Sequence, residues 1–121
     1  MAAGAAANAE VAIAFANNGF GEAGGDSAKI SLPGDHNASI TAVAPRNPNT
    51  IVVLQTGNPV AMPWLDDASG VVEAFYPGQE DGQAIADIRT GAVACSDHLP
   101  IAFNRGSDLQ PIPNTARPFA R

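Results

Sequence analysis

Residues 49–78, NTIVVLQTGNPVAMPWLDDASGVVEAFYPG, decide the fold of this chain. They contain two apolar runs, Thr50 to Leu54 and Val71 to Tyr76, and each run ends in a polar turn with a glycine. Both runs are too short for typical helices and are rich in β-branched and aromatic residues, which favours strands buried on both faces. Such strands are typical of parallel sheets, and ligands collect beyond their carboxyl ends. We therefore expect a functional edge at Gln55 to Asn58 and at Pro77 to Glu80.

Strand and helix patterns alternate on either side of these two runs. A first strand is predicted from Glu10 to Ala16, where larger apolar residues alternate with alanine. The other predicted elements are a helix over Asn37–Ala44 with Asp35 as its cap, a short helix over Met62–Asp67, a helix over Gly82–Thr90 between a capping Asp81 and a stop at Gly91, and an edge strand over Leu99–Phe103.

This alternation predicts an α/β fold, a three-layer α/β/α sandwich with a mostly parallel sheet. We expect one domain over residues 1–104 and an extended C-terminal tail over residues 105–121, where prolines are frequent and apolar periodicity is weak. A chain of 121 residues is long enough to bury a real core.

Composition narrows the classes of partner. The 12 acidic residues outnumber the 6 basic ones, so the net charge of −6 would repel a phosphate backbone, and we expect no nucleic acid partner. No apolar run is long enough for a membrane span, and Met1 to Ala9 lacks the basic start of a signal peptide, so we expect a soluble chain of unknown localisation. The lone Cys95 has no pairing or metal-binding neighbour, and we expect neither metal nor cofactor.

The long glycine-rich segment after the first strand carries two carboxylates. Glu22 and Asp26 lie in the segment Gly19 to Gly34, and loops of this length in compact domains are usually functional or disordered. Gly21 and the glycines after Ala23 permit backbone angles that other residues resist, so Glu22 can project away from its own domain.

Several spaced motifs resemble those of one enzyme family. TIVVLQTGNPVAMPWL, VVEAFYPGQEDGQAIADI and ISLPGDHNASI are similar to the second, α/β-sandwich domain of glycoside hydrolase family 3, the β-glucosidase family. In that family a preceding barrel domain carries an aspartate nucleophile, and the sandwich domain supplies the general acid/base glutamate from a loop. The resemblance covers roughly Val11 to Phe103, and this chain contains no barrel.

The resemblance implies specific roles for residues in the glycine-rich segment. FANNGFGEAGGDSAKISLPG, residues 15–34, resembles the acid/base loop of the family, with Glu22 in the place of the catalytic glutamate. Asp26 and Asn18 are the implied substrate-binding residues. The alternative is that Glu22 is an ordinary solvated loop residue. Trp64 and Tyr76 could similarly form part of a sugar site, or could serve packing and turn formation.

Besides an independent small hydrolase that uses Glu22 and Asp26 within one loop, these motifs suggest two whole-protein hypotheses. The first is a β-glucosidase-like hydrolase of terminal β-glucosides or oligosaccharides, in which this chain supplies the acid/base and another domain supplies the nucleophile. The second is a domain without catalysis that binds carbohydrate or a protein partner, either a barrel domain or a second copy of itself. A surface of the second kind would carry an exposed apolar patch.

Overall fold

The computed structural model describes residues 2–19, 30–95, 98–103 and 105–106. Its regular elements, in chain order, are α1 (Ala2–Ala7), β1 (Ala12–Asn17), α2 (His36–Val43), β2 (Thr50–Gln55), β3 (Gly70–Glu73) and α3 (Asp81–Thr90), with 3₁₀ turns at Ala44–Arg46 and Leu65–Asp67. None of the helices in this described part is long and apolar enough to cross a membrane.

The three strands form a parallel sheet in the order β1-β2-β3. In its register Val52 of β2 lies between Ala14 of β1 and Val71 of β3. The central strand β2 is the most deeply buried, and Val53 and Leu54 are fully inaccessible to solvent. The short apolar run in the sequence is therefore a strand covered on both faces, as predicted.

Helices cover both faces of the sheet. On one face Ile40 of α2 joins a buried cluster with Val52 and Leu54. Gln55 lies on the other face because side chains alternate along a strand, and its amide donates a hydrogen bond to Asp81 at the start of α3. The α3 helix thus begins on the face opposite α2, and the predicted α/β/α arrangement is confirmed.

The helix ends agree with the predicted stops and with one of the two predicted caps. Gly91 ends α3 in the left-handed conformation with φ 77°, and α2 ends at Val43, two residues before Pro45. Asp35 is the N-cap residue of α2, as predicted, although its side chain makes no capping bond. The predicted cap at Asp81 was wrong, because Asp81 is the first residue of α3 and its side chain bonds to Gln55 across to the sheet.

Two further predictions required correction. Residues 98–103 form no strand, and Leu99 and Ile101 are both exposed there, while Phe103 packs against the core. Pro100 lacks the amide proton that a sheet ladder needs, which disfavours pairing at this position. The helix predicted from Met62 to Asp67 is reduced to the 3₁₀ turn that begins at Leu65.

Trp64 is a core residue. Its side chain is fully buried in the same cluster as Val52 and Leu54. Its indole Nε1 donates a hydrogen bond to Asn37 Oδ1 at 2.8 Å, which satisfies the one polar atom of a buried tryptophan. The packing interpretation of Trp64 is therefore the correct one.

Asn47 joins the N-terminal helix to the sheet. It is 3% exposed, and its Nδ2 donates to the carbonyl oxygens of Ala6 at 2.9 Å and Ala9 at 2.8 Å. Its Oδ1 accepts from the backbone N–H of Asn49 at 2.8 Å, just before β2. One buried side chain thus binds carbonyls in and just after α1 and also the backbone just before β2.

We predict that Asn47→Ala lowers the free energy of unfolding by about 2–3 kcal/mol, because it removes three hydrogen bonds of a buried side chain, to the carbonyls of Ala6 and Ala9 and from the N–H of Asn49. Urea unfolding followed by Trp64 fluorescence measures the change. Asn49→Ala is the matched control, because that exposed side chain makes one bond, to the carbonyl of Glu10. Equal losses in the two variants would contradict the role of Asn47.

Glu73 joins the ends of β2 and β3. Its Oε1 accepts from the backbone N–H groups of Phe75 at 2.9 Å and Thr56 at 3.2 Å. Thr56 Oγ1 lies 3.0 Å from Glu73 Oε2 and 2.9 Å from the carbonyl oxygen of Asn58. The hydroxyl has one hydrogen, so both contacts are satisfied together when a protonated Glu73 donates to Thr56 and Thr56 donates to Asn58.

Burial raises the pKa of Glu73 above its ordinary value of 4.5, because desolvation outweighs the hydrogen bonds from Phe75 and Thr56 that favour the carboxylate. Between the ordinary and the raised pKa the folded chain holds more protons than the unfolded chain. The free energy of unfolding therefore falls as the pH rises through that window.

We predict that Glu73→Gln flattens this pH dependence and makes the variant more stable, relative to the parent chain, at about pH 7 than at about pH 4. The glutamine amide keeps an acceptor for the two backbone N–H groups and presents a donor to Thr56. Urea titrations across this range measure the effect, with Glu10→Gln at an exposed position as the control. If the free energy of unfolding depends on pH in the same way in the parent chain and in Glu73→Gln, the prediction is wrong.

Candidate functional site

The carboxyl ends of all three strands lie along one edge of the sheet, because the strands are parallel. Polar groups follow each strand there. Asn18 and Gly19 follow β1, Thr56 follows β2, and Glu73 and Tyr76 lie at the end of β3. This is the edge at which α/β sheets bind ligands, as the sequence predicted.

A tyrosine hydroxyl connects the two outer strands across this edge. Tyr76 Oη lies 3.2 Å from Asn18 Oδ1 and 3.3 Å from the carbonyl oxygen of Gly19. Gly19 itself has a left-handed backbone, with φ 74°, and its N–H donates to Asn17 Oδ1 at 3.2 Å. The Tyr76 hydroxyl has one hydrogen, which either of these two acceptors can receive, and the Gly19 N–H is bonded to Asn17.

The electrostatics of the edge centre on Glu73. Burial raises the pKa of the Glu73 carboxyl. That carboxyl accepts hydrogen bonds from the backbone N–H groups of Thr56 and Phe75. Phe75 has a left-handed backbone, with φ 52°, which bulky residues rarely adopt. The bond from its N–H to Glu73 holds that turn in place.

The predicted site residues divide between described and undescribed parts of the chain. Asn18 is half-buried at the carboxyl edge, and its role in substrate binding stays a prediction. Glu22 and Asp26 belong to residues 20–29, which lie outside the described residues, so their roles remain predictions.

The other residues that could contact a ligand at this edge differ in their exposure to solvent. Trp64 is fully buried and offers no aromatic wall to a ligand. Gln79 and Glu80 are exposed, just before α3. Across residues 2–19, 30–95, 98–103 and 105–106, no group of three or more His, Cys, Asp or Glu side chains is arranged to hold a metal ion.

Sequence reasoning missed Glu73 and Thr56. The available signal was a single carboxylate directly after two valines in an apolar strand, since a charged group is rarely half-buried without partners. Which partners it has depends on the register of β2 with β3, which places Leu54 beside Glu73 and so brings Thr56 close to it.

The described residues at this edge provide a platform of hydrogen-bonding groups. Asn18 and Tyr76 present amide and hydroxyl groups that suit sugar hydroxyls. The Glu73 carboxyl is engaged by the N–H groups of Thr56 and Phe75 and by the hydroxyl of Thr56, so it serves the structure of the edge.

Comparison with known proteins agrees with the motifs. The family model for the glycosyl hydrolase family 3 C-terminal domain matches residues 1–120. β-Glucosidase B of Emericella nidulans is 44% identical over 110 residues, which are 88% of this chain and 13% of that enzyme. A β-glucosidase of Rhizobium radiobacter is 49% identical over 74 residues, which are 61% of this chain and 9% of the enzyme.

Solved structures give the same result. The β-glucosidase DesR of Streptomyces venezuelae, in complex with D-glucose, superposes with a TM-score of 0.71 at 44% identity, over 75% of this chain and 12% of that one. The β-glucosidase of Kluyveromyces marxianus superposes with a TM-score of 0.72 at 42% identity, over 76% of this chain and 11% of that one. This chain therefore spans a small part of its relatives, and it belongs to glycoside hydrolase family 3, where it matches the C-terminal domain.

Proposed function

We propose that this chain contributes the general acid/base, Glu22, to a β-glucosidase-like enzyme that hydrolyses terminal β-D-glucosides with retention of configuration. The observation that carries the proposal is family membership together with the position of the segment bearing Glu22. That segment follows β1 directly at the carboxyl edge, where open α/β sheets bind their ligands.

The reaction requires two carboxyl groups with different tasks. In retaining hydrolysis a carboxylate attacks the anomeric carbon while a second carboxyl, about 5–5.5 Å from it, protonates the departing glycosidic oxygen. The same second group then takes a proton from water, whose oxygen displaces the sugar from the nucleophile. Glu22 has the second task in this proposal.

The nucleophile comes from outside this chain. We propose a barrel domain as its source. The chain spans 13% of β-glucosidase B of Emericella nidulans and 12% of DesR, so most of each of these enzymes lies outside the matched part. The isolated chain is then half of an active site, and its expected turnover on a β-glucoside is negligible.

Asn18 and Asp26 hold the substrate in this proposal. The Asn18 amide nitrogen can donate to a sugar hydroxyl while its Oδ1 accepts from Tyr76, as the 3.2 Å contact allows. Asp26 is a second hydrogen-bond acceptor in the same segment as Glu22.

A chimera tests the role of Glu22. In it, this chain replaces the matched segment of the Kluyveromyces marxianus β-glucosidase, which shares its fold at 42% identity. We predict that Glu22→Ala lowers the turnover number on a nitrophenyl β-glucoside about 100-fold or more, because the second step loses its general base. Added azide should restore turnover and give a glycosyl azide of retained configuration, since azide needs no base to attack.

The matched control is Glu10→Ala. Glu10 is an exposed carboxylate near the amino end of β1, at the opposite edge of the sheet, so its loss should leave turnover unchanged. An unchanged turnover number in Glu22→Ala would show that the acid/base lies elsewhere. Substantial turnover by the isolated chain would show that no outside nucleophile is needed.

A second candidate function, binding of a protein partner, is favoured by one surface. Ile13 and Phe15 share a face of β1, Val11 lies just before the strand, and each of the three is about half exposed. Ile13 and Phe15 also line a groove of about 440 Å³ between β1 and the helices α1 and α2. Contiguous exposed apolar side chains often mark a surface that binds another protein, whereas single exposed apolar residues are ordinary.

We predict that this surface makes the isolated chain self-associate, and that Phe15→Lys shifts it to the monomer. Light scattering after size exclusion, from low to high micromolar concentration, measures the molar mass. Val93→Lys is the control, because Val93 is equally exposed, beyond α3. Saturable binding of glucose or cellobiose by a monomeric chain would favour a carbohydrate-binding domain instead, and a parent chain that is monomeric throughout would contradict self-association.

A further inference from the structure

The strand β1 lies at one edge of the sheet, and no strand among the described residues pairs with its outer side. Ala12 donates its N–H to the carbonyl oxygen of Asn49, just before β2, at 3.4 Å. Because the backbone groups of successive residues point to opposite sides of a strand, those of Ile13 and Phe15 point away from β2. The outer side of β1 therefore presents backbone donors and acceptors to a further strand.

The groove beside β1 follows this outer side. Four consecutive residues of the strand, Ala12 to Phe15, line it, although their side chains alternate between the two faces of the sheet. A groove lined from both faces runs along the edge of the strand itself. Its volume is about 440 Å³, and residues of α1 and α2 form its other wall.

The edge of β1 lacks the features that keep edge strands apart. Such strands are usually protected by charged side chains, prolines or bulges. The sequence of β1, AIAFAN, contains no charged residue and no proline, and its register with β2 runs without interruption from Ala12 to Asn17. This edge is therefore suited to pairing with another strand.

A second copy of β1 fits the groove in one register. When two copies run antiparallel with Ala14 opposite Ala14, the outward backbone groups of Ile13 meet those of Phe15 of the other copy, and each such pair exchanges two N–H···O bonds. The half-exposed side chains of Ile13 and Phe15 then lie side by side on one face, as an aliphatic–aromatic pair. The small alanines of the entering strand lie on the other face, next to α1 and α2.

Charge also permits this pairing, although each copy carries a net charge of −6. In the register about Ala14, Glu10 lies opposite the neutral Asn18 of the other copy, so no like charges face each other along the strands. The contact covers one short strand edge and a few apolar side chains. This is less than the roughly 800 Å² per partner of a standard interface, so we expect dissociation in the micromolar range.

We propose that two copies of this chain pair through the outer edges of β1, antiparallel about Ala14, and so form one continuous sheet. The inference rests on the self-association proposed above and assigns its geometry. It differs from a dimer in which only the apolar faces of Ile13 and Phe15 touch, because edge pairing also engages the backbone of these two residues.

The first test measures hydrogen exchange of backbone N–H groups in the unaltered 121-residue chain, from low to high micromolar concentration. We expect exchange at Ile13 and Phe15 to slow about tenfold as the dimer forms, because their N–H groups become bonded. Ala14 is the internal control, since its N–H faces β2 at every concentration. A molar mass that doubles while exchange at Ile13 and Phe15 stays constant would overturn the inference.

The second test uses disulfide formation, with Cys95→Ser to remove the exposed native thiol. In this background, Ala14→Cys should cross-link to its own copy, because facing residues in a pair without hydrogen bonds have Cα atoms about 4.5 Å apart, within the range of a disulfide. Ala12→Cys is the matched control on the same face, since its own copy lies about 13 Å further along the partner strand. Urea unfolding checks that both variants are folded.

We expect oxidised dimer to accumulate at least about fivefold faster with Ala14→Cys than with Ala12→Cys. Equal rates in two folded variants would overturn the register. If light scattering shows a dimer without either signature, self-association stands and edge pairing is wrong. If the chain is monomeric at all concentrations, both proposals fail.

Discussion

Burial of β2 on both faces is the constraint on which the rest of this structure depends. Val52, Val53 and Leu54 are fully inaccessible, with α2 packing on one side and α3 beginning on the other. A strand covered in this way has both neighbours parallel to it through crossover connections, so the carboxyl ends of all three strands meet at one edge. The candidate site exists because of that convergence.

Polar side chains then stabilise the segments at the two edges of the parallel sheet. At the amino edge, Asn47 satisfies the end of α1 and the start of β2. At the carboxyl edge, Glu73 joins β2 to β3 and Tyr76 reaches β1. The bonds from Asn47 to Ala6, from Thr56 to Glu73 and from Tyr76 to Asn18 link residues distant in sequence, so they hold separate segments together at the two edges.

These contacts bear on the proposed function. The chain covers about an eighth of its relatives, and we propose that its acid/base must meet a nucleophile from another domain at a defined separation. Contacts that hold the backbone where it leaves β1 favour such a separation in this proposal, and we propose the half-exposed Phe15 on the same strand as a place where a partner binds.

The sequence by itself determined the strands, the α/β class, the position of the functional edge and the family, because apolar runs, glycine stops and motif spacing are local properties. It misplaced a strand at Leu99–Phe103, where composition favoured pairing but Pro100 disfavours it. Only the tertiary structure decided that Asp81 bonds to Gln55 and that Glu73 bonds to Thr56. Those partners are set by strand register and by which face each helix covers, and no local pattern encodes them.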